Sequence, residues 1–145
     1  MRRDPTFTAT TATVRVHAFG DPACTAALFS ARIEGSFHIG ASMAASKANQ
    51  FDFTFAALYM TPENPGLVAA FQNGKCGTET WTIGKEQDIG ATGCLFLHPI
   101  ATCKGDYDLV SLEDGKLRFG VRSADMCTAD KRSVTIDVHP LQRQP

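Results

Sequence analysis

Apolar and polar residues alternate with period two over most of this chain, the pattern of β-strands with one face buried and the other wet. Phe29, Ala31, Ile33, Phe37 and Ile39 fall on one face of a first long strand, with Ser30, Arg32, Glu34 and His38 on the other. Gly35 interrupts the apolar face, where a glycine usually marks a bulge or a sharp bend. Phe51, Phe53 and Phe55 alternate with Asp52, Thr54 and Ala56, and the strand continues toward Ala57 and Tyr59. Three phenylalanines thus line one face.

Thr61 and Pro62 fit the N-cap and first position of a helix, Leu67, Val68 and Phe71 recur at helical spacing, and Gly74 offers the stop. One short helix is predicted there. Further strands are predicted over 80–83, 85–89 and 94–98. YDLVSLE and KLRFGVR form a hairpin joined by Asp114 and Gly115, a dipeptide that accepts the positive φ of a type I′ turn. The segment 123–132 reads as a polar loop, and a last strand over 133–139 is closed by Pro140.

Many short antiparallel strands and one helix predict an all-β fold. The sheet must close or have its open face covered, which favours a lipocalin-like antiparallel up-and-down barrel, or a partial, half-open barrel, over a flat sandwich. No repeat or linker divides the chain, so residues 1–145 read as one domain. An eight-strand barrel is about wide enough to be filled by its own side chains or to hold one small ligand, so the aromatic face is either packed core or pocket lining.

Composition narrows the function classes. The chain has 145 residues, 43% apolar and 20% charged, close to the globular average and unlike a disordered chain. Fourteen Lys and Arg against fifteen Asp and Glu leave a net charge of −1, so no basic face for nucleic acid and no polybasic membrane patch is expected. No apolar run approaches the ~20 residues of a membrane span, and the start MRRDPTFTATTATVRVHAFG has no apolar core of a signal peptide. Five cysteines in so short a chain nevertheless point to an oxidising compartment. The expectation is a secreted, periplasmic or cell-surface protein whose export signal is not part of these residues.

From Asp21 to Arg122 the chain resembles the domain of the adenomatosis polyposis coli down-regulated (APCDD) family. The resemblance is carried in order by Asp21, Pro22 and Cys24; Gly35, Phe37, Gly40 and Ser42; Phe53 and Phe55; Thr61 and Pro62; Cys76 and Gly77; Trp81, Gly84, Gln87 and Asp88; Gly93 and Cys94; Tyr107; and Phe119, Gly120 and Arg122. It implies a secreted or surface-exposed lipocalin-like barrel whose apolar cavity accepts an acyl chain, lipid or similar molecule, lined here by Phe29, Ile33, Phe37, Phe51, Phe53, Phe55 and Trp81. Family members in animals carry two such domains and a membrane anchor, and restrain Wnt signalling. This chain has one domain's worth of the pattern and lacks the family's leading strand with its tryptophan and cysteine, so Wnt antagonism does not carry over. That missing strand implies a half-open wall, or an edge through which copies of the chain pair as a homo-oligomer.

Any of the five cysteines can be the one left over, and the other four pair in three ways, so spacing alone selects no pairing. The resemblance implies Cys76 with Cys94 and leaves Cys24 without its partner; Cys103 and Cys127 lie outside the family motifs, on the two sides of the hairpin, and are expected as the second pair. Zinc held by Cys94, His98 and Cys103 with Cys76 is the lesser alternative, because structural zinc sites usually show cysteines paired two to four residues apart. His17, His38, His98 and His139 are scattered without a nucleophile motif, and no phosphate-cradling glycine loop appears, so no catalytic residue, metal or cofactor is assigned. Gln87 and Asp88 form the best polar cluster, with satisfaction of free backbone groups at a bend favoured over ligand contact. Asp106 and Asp108, flanking Tyr107, read as solvated acids. A structural or adhesive domain using an open sheet edge is the second reading.

Overall fold

The computed structural model describes residues 1–122 and 125–141. Seven strands form one sheet: β1 (Arg2–Phe7), β2 (Thr11–Phe19), β3 (Ala27–Met43), β4 (Ala48–Pro62), β5 (Gln87–Asp88), β6 (Gly105–Glu113) and β7 (Lys116–Phe119). One helix, α1 (Pro65–Asn73), follows β4, and a single 3-10 turn covers Ala129–Lys131. The strand order is β1-β2-β3-β4-β6-β7, with β5 also pairing β4. Among the described residues the order is open, with β1 and β7 at its two ends. The fold is therefore all-β and antiparallel with one short helix, the half-open form of the expected barrel.

The chain packs as two compact units, Met1–Gly35 with Phe55–Thr102, and Ser36–Thr54 with Cys103–Pro145. In the first, β1 pairs β2 from Arg2 opposite His17 to Phe7 opposite Ala12. The alternation of Ala12, Val14, Val16 and Ala18 with Thr13, Arg15 and His17 carries the period-two signal of β2 and puts His17 on the polar face of its strand. Phe29, Ala31 and Ile33 of β3 are buried as expected. In the second unit, β4 pairs β6 from Asn49 opposite Val110 to Thr54 opposite Gly105. β6 and β7 form the expected hairpin, and Asp114 and Gly115 both have positive φ, 51° and 71°.

Five expectations need correction. Along β4 the buried positions are Ala48, then Phe51, Phe53 and Phe55, then Leu58, Met60 and Pro62. The phase slips by one residue at Ala56 and Ala57, as an extra residue in one strand produces, so Ala57 and Tyr59 do not share the phenylalanine face. Ile39 is 53% exposed instead of facing inward. The helix starts later than Thr61 and Pro62, which end β4. Asn64 is its N-cap, accepting a hydrogen bond from the Gly66 amide at 2.8 Å, and Pro65 opens it; Gly74 stops it, donating its N–H to Ala70 at 2.8 Å.

Finally, of the strands predicted over 80–98 only Gln87–Asp88 forms, against Tyr59 and Met60; Cys94 and Leu97 make an isolated bridge. The last predicted strand does lie beside β7, through Val121 N–H to Thr135, Asp137 N–H to Phe119 and Leu141 N–H to Leu117, but only Ile136 makes a ladder bridge, with Gly120.

Candidate ligand-binding site

The seven candidate ligand-lining residues fall into two groups, one in each unit. Phe29, Ile33, Phe55 and Trp81 belong to the first, and all four are buried. Phe29 meets Phe71 of α1 edge-on with centroids 6.1 Å apart, and Phe71 meets Trp81 in the same way at 5.1 Å. The Trp81 indole N–H donates to the Cys76 carbonyl at 2.6 Å, which satisfies its one polar atom. Phe96, half exposed, lies against Phe29 with centroids 6.2 Å apart. Phe37, Phe51 and Phe53 belong to the second unit. Phe51 stacks on Phe37 at 5.5 Å, touches Phe53 at 6.4 Å and receives Phe119 edge-on at 5.3 Å. Phe37 is the least buried of these three. Phe71, Phe96 and Phe119 were not among the candidates, since each sits outside the two alternating runs.

Both expected disulfides are present. Cys76 is bonded to Cys94 and Cys103 to Cys127, while Cys24 is free and exposed. The sulfurs of the alternative zinc site are thus consumed, and among the described residues no group of three or more His, Cys, Asp or Glu is placed to hold a metal. Closing the 18-residue separation of the first disulfide contributes roughly 3 kcal/mol in the chain-entropy description.

The polar residues sort clearly. Gln87 is buried and spends its amide on the backbone, its Nε2 donating to Thr80 O at 3.1 Å and its Oε1 accepting from Glu79 N–H at 3.3 Å. It satisfies free backbone groups at a bend. Asp88 instead borders a cleft of about 510 Å³ in the first unit, together with Ala56, Ala57, Gly90, Thr92 and Ile100. None of the seven candidate residues lines that cleft. Arg32, on the outward face of β3, lies 3.8 Å from the Tyr59 ring centre and is paired with Glu34 and Glu86, and the Glu86 hydrogen bond raises its pKa. His38, His98 and His139 are exposed, and His17 lies 3.6 Å from Asp4.

Asp106 and Asp108 are not solvated acids. Asp106 is paired with Arg122, and Asp108 is buried, its Oδ1 accepting from the Leu109 and Gly120 amides at 2.7 and 3.0 Å. Gly120 is required here: a Cβ would collide with the Asp108 carboxylate and the Ser133 side chain. Burial pushes the Asp108 pKa up from 3.8 to about 6, against the lowering effect of the two amides and Arg122.

The folded chain therefore holds this proton more tightly than the unfolded chain does. Stability contributed by the protonated group is complete below pH 3.8 and is lost as pH rises through about 6, a change of about 3 kcal/mol at ~1.4 kcal/mol per unit. Asp108→Asn keeps an acceptor for both amides and should flatten that part of the profile. Denaturant titrations at several pH values from 4 to 7 check this, and an unchanged slope in the variant would assign the dependence to another group.

No protein-family model matches the chain, and no curated protein matches it.

Proposed function

We propose that this chain is a non-enzymatic binding module that takes up an acyl chain, a lipid or a similar apolar molecule against the aromatic face of its sheet. The observation that carries the reading is the continuity of apolar surface from solvent into the Phe29 cluster: Phe96 is 47% exposed on one side and lies on buried Phe29 with the other. The resemblance to the APCDD domain supports it, as do the open strand order and the Cys76–Cys94 disulfide that ties the segments carrying Trp81 and Phe96. The driving force is burial of ligand chain, about 0.8 kcal/mol per CH2, less the cost of immobilising it. Two disulfides suit an extracellular or periplasmic location, where they persist.

The second reading, a protein-interaction domain or homo-oligomer using the open edge, meets an obstacle in β1. Arg2, Arg3, Asp4 and Pro5 occupy that edge strand, and charge and proline are what blunt an edge against pairing.

Trp81, the chain's one tryptophan, packs on Phe71 beside Phe29 and reports on the cluster directly. Titration with a long-chain fatty acid should shift its emission saturably, and native mass spectrometry should find one fatty acid bound per chain. A protein that gives neither signal with any chain length is not an acyl-binding module.

A further inference from the structure

The cleft beside Asp88 serves neither reading above, and short stretches of the first unit build it. Ala56 and Ala57, where β4 slips its phase, contribute two small apolar side chains to its lining. The pairing of Asp88 with Tyr59 in the two-residue β5 brings a carboxylate to the same cleft. Its Oδ1 accepts the Gly90 amide at 2.7 Å, and the Gly90 carbonyl accepts the Ile100 amide at 2.8 Å. A Cβ placed on Gly90 would stand 3.1 Å from Asp88 Oδ1 and 3.1 Å from Ile100 Cδ1. Gly90 does not have a positive φ, so the backbone does not demand glycine there. Its missing side chain instead leaves an opening between a carboxylate and an aliphatic wall.

Among the described residues, Asp88 is the one ionisable side chain that lines the cleft, and it forms no ion pair. The acids nearest to it in sequence are already matched, Glu79 to Lys85 at 2.9 Å and Glu86 to Arg32 at 2.6 Å. Lys75, His98 and Lys104 lie in the flanking segments, and none of them lines the cleft. Thr92 spends its hydroxyl inside the protein, accepting from the Gly77 amide at 2.8 Å and donating to Gly93 O at 3.0 Å. The hydroxyl of exposed Thr78 has no partner among the described residues, so its oxygen remains as a second acceptor on the lining.

We propose that this cleft binds a small primary ammonium compound, its charged head on Asp88 and its short aliphatic body against Ala56, Ala57 and Ile100. A hydrogen bond from an ammonium to a carboxylate is about twice as strong as a neutral one, and the aliphatic wall beside it recognises the carbon chain by burial. With Oδ1 already held by Gly90, Asp88 offers one oxygen in full. That suits the point charge of an ammonium better than the planar fork of a guanidinium, which takes both oxygens of a carboxylate. A lone carboxylate supplies too few ligands for a metal ion. The volume, about 510 Å³, falls within the range of small-molecule sites, roughly 300–1,000 Å³. The site shares no residue with the Phe29 cluster, so it stands or falls apart from the acyl-binding reading.

The test is a titration of the isotope-labelled full chain with hexylammonium, followed through the amide resonances of Gly90 and Ala91. The Gly90 N–H donates to the Asp88 carboxylate, so its resonance reports the head of the ligand directly. Both resonances should move saturably. Hexanol, the same body without the charge, should bind about tenfold more weakly or worse, and hexanoate should leave both resonances in place. Methylammonium should also lose about tenfold or more, because it leaves the aliphatic wall unused. Asp88→Asn keeps an acceptor for Gly90 and should weaken hexylammonium about tenfold. Ala56→Leu, at an exposed strand position, fills the cleft and should remove the advantage of hexylammonium over methylammonium. Unchanged affinity in a folded Asp88→Asn chain, or equal binding of hexylammonium and hexanol, overturns the proposal. Equal binding of hexylammonium and methylammonium does so too, since it reduces the site to an exposed charge. Should Asp88→Asn fail to fold, the hexanol and methylammonium comparisons on the wild-type chain decide.

Discussion

Replacing Arg132 by methionine is expected to destabilise the chain by about 3 kcal/mol, although the residue lies in a segment with no regular secondary structure. Its side chain is only 10% exposed and makes three kinds of contact in the second unit. Nη1 donates to the carbonyls of Asp108 at 2.8 Å and Phe51 at 3.4 Å, Nη2 donates to the Asp52 carboxylate at 2.6 Å, and the guanidinium lies 5.4 Å from the Tyr107 ring centre. Phe51 and Asp52 are on β4, and Tyr107 and Asp108 on β6, so one planar fork ties two paired strands to the loop that follows the hairpin. Methionine fills the volume but leaves the Asp52 carboxylate and two carbonyls without this donor. Lysine keeps the charge and reaches fewer acceptors from one point, so Arg132→Lys should fall between the two. Urea unfolding followed by circular dichroism checks both variants. A loss below about 0.5 kcal/mol in the methionine variant would show that water replaces the guanidinium at no cost.

That residue also marks where sequence reasoning runs out. Period-two alternation located β3, the phenylalanine run of β4 and the β6–β7 hairpin, because burial on one sheet face is a local, repeating demand on the chain. It placed β4 too short and its second half in the wrong phase, because Ala56 and Ala57 are too small to declare a face. Over 80–98 the composition suggests strands, yet Gly84 and Gly93 adopt positive φ and Cys94 is held by Cys76, so turn geometry and a distant covalent bond decide the path. The candidate aromatic residues are each buried or half-buried as alternation demands, but which ring meets which is a tertiary fact: Phe71 reaches Phe29 from a helix and Phe96 reaches it from a turn. Arg132 meets Asp52 across a separation of 80 residues, and no pattern within a window of the sequence carries that pairing. Asp106 and Asp108 of β6 were misjudged for the same reason, since Asp108 is covered by chain that arrives after the hairpin.

Trp81→Ala is expected to cost about 4 kcal/mol, the largest loss among the residues of the Phe29 cluster. The indole is almost fully buried and no strand holds it: it sits between the turn after α1 and the single ladder step of β5. Its ring supplies the edge-on contact to Phe71, itself wholly buried, and its N–H is the donor for the Cys76 carbonyl next to the disulfide. Removing it opens a cavity beside Phe71 and leaves that carbonyl without this partner at once. Trp81→Phe separates the two contributions, since it retains most of the packing and forfeits the hydrogen bond, and should cost about 1–2 kcal/mol. Thermal unfolding under oxidising conditions, with the Cys76–Cys94 bond intact, measures both. If alanine cost no more than phenylalanine, the surrounding loops would have to collapse onto Phe71 and refill the space. The Phe29 cluster would then be a deformable lining instead of a fixed one, and its acyl-binding properties would have to be read from the relaxed form.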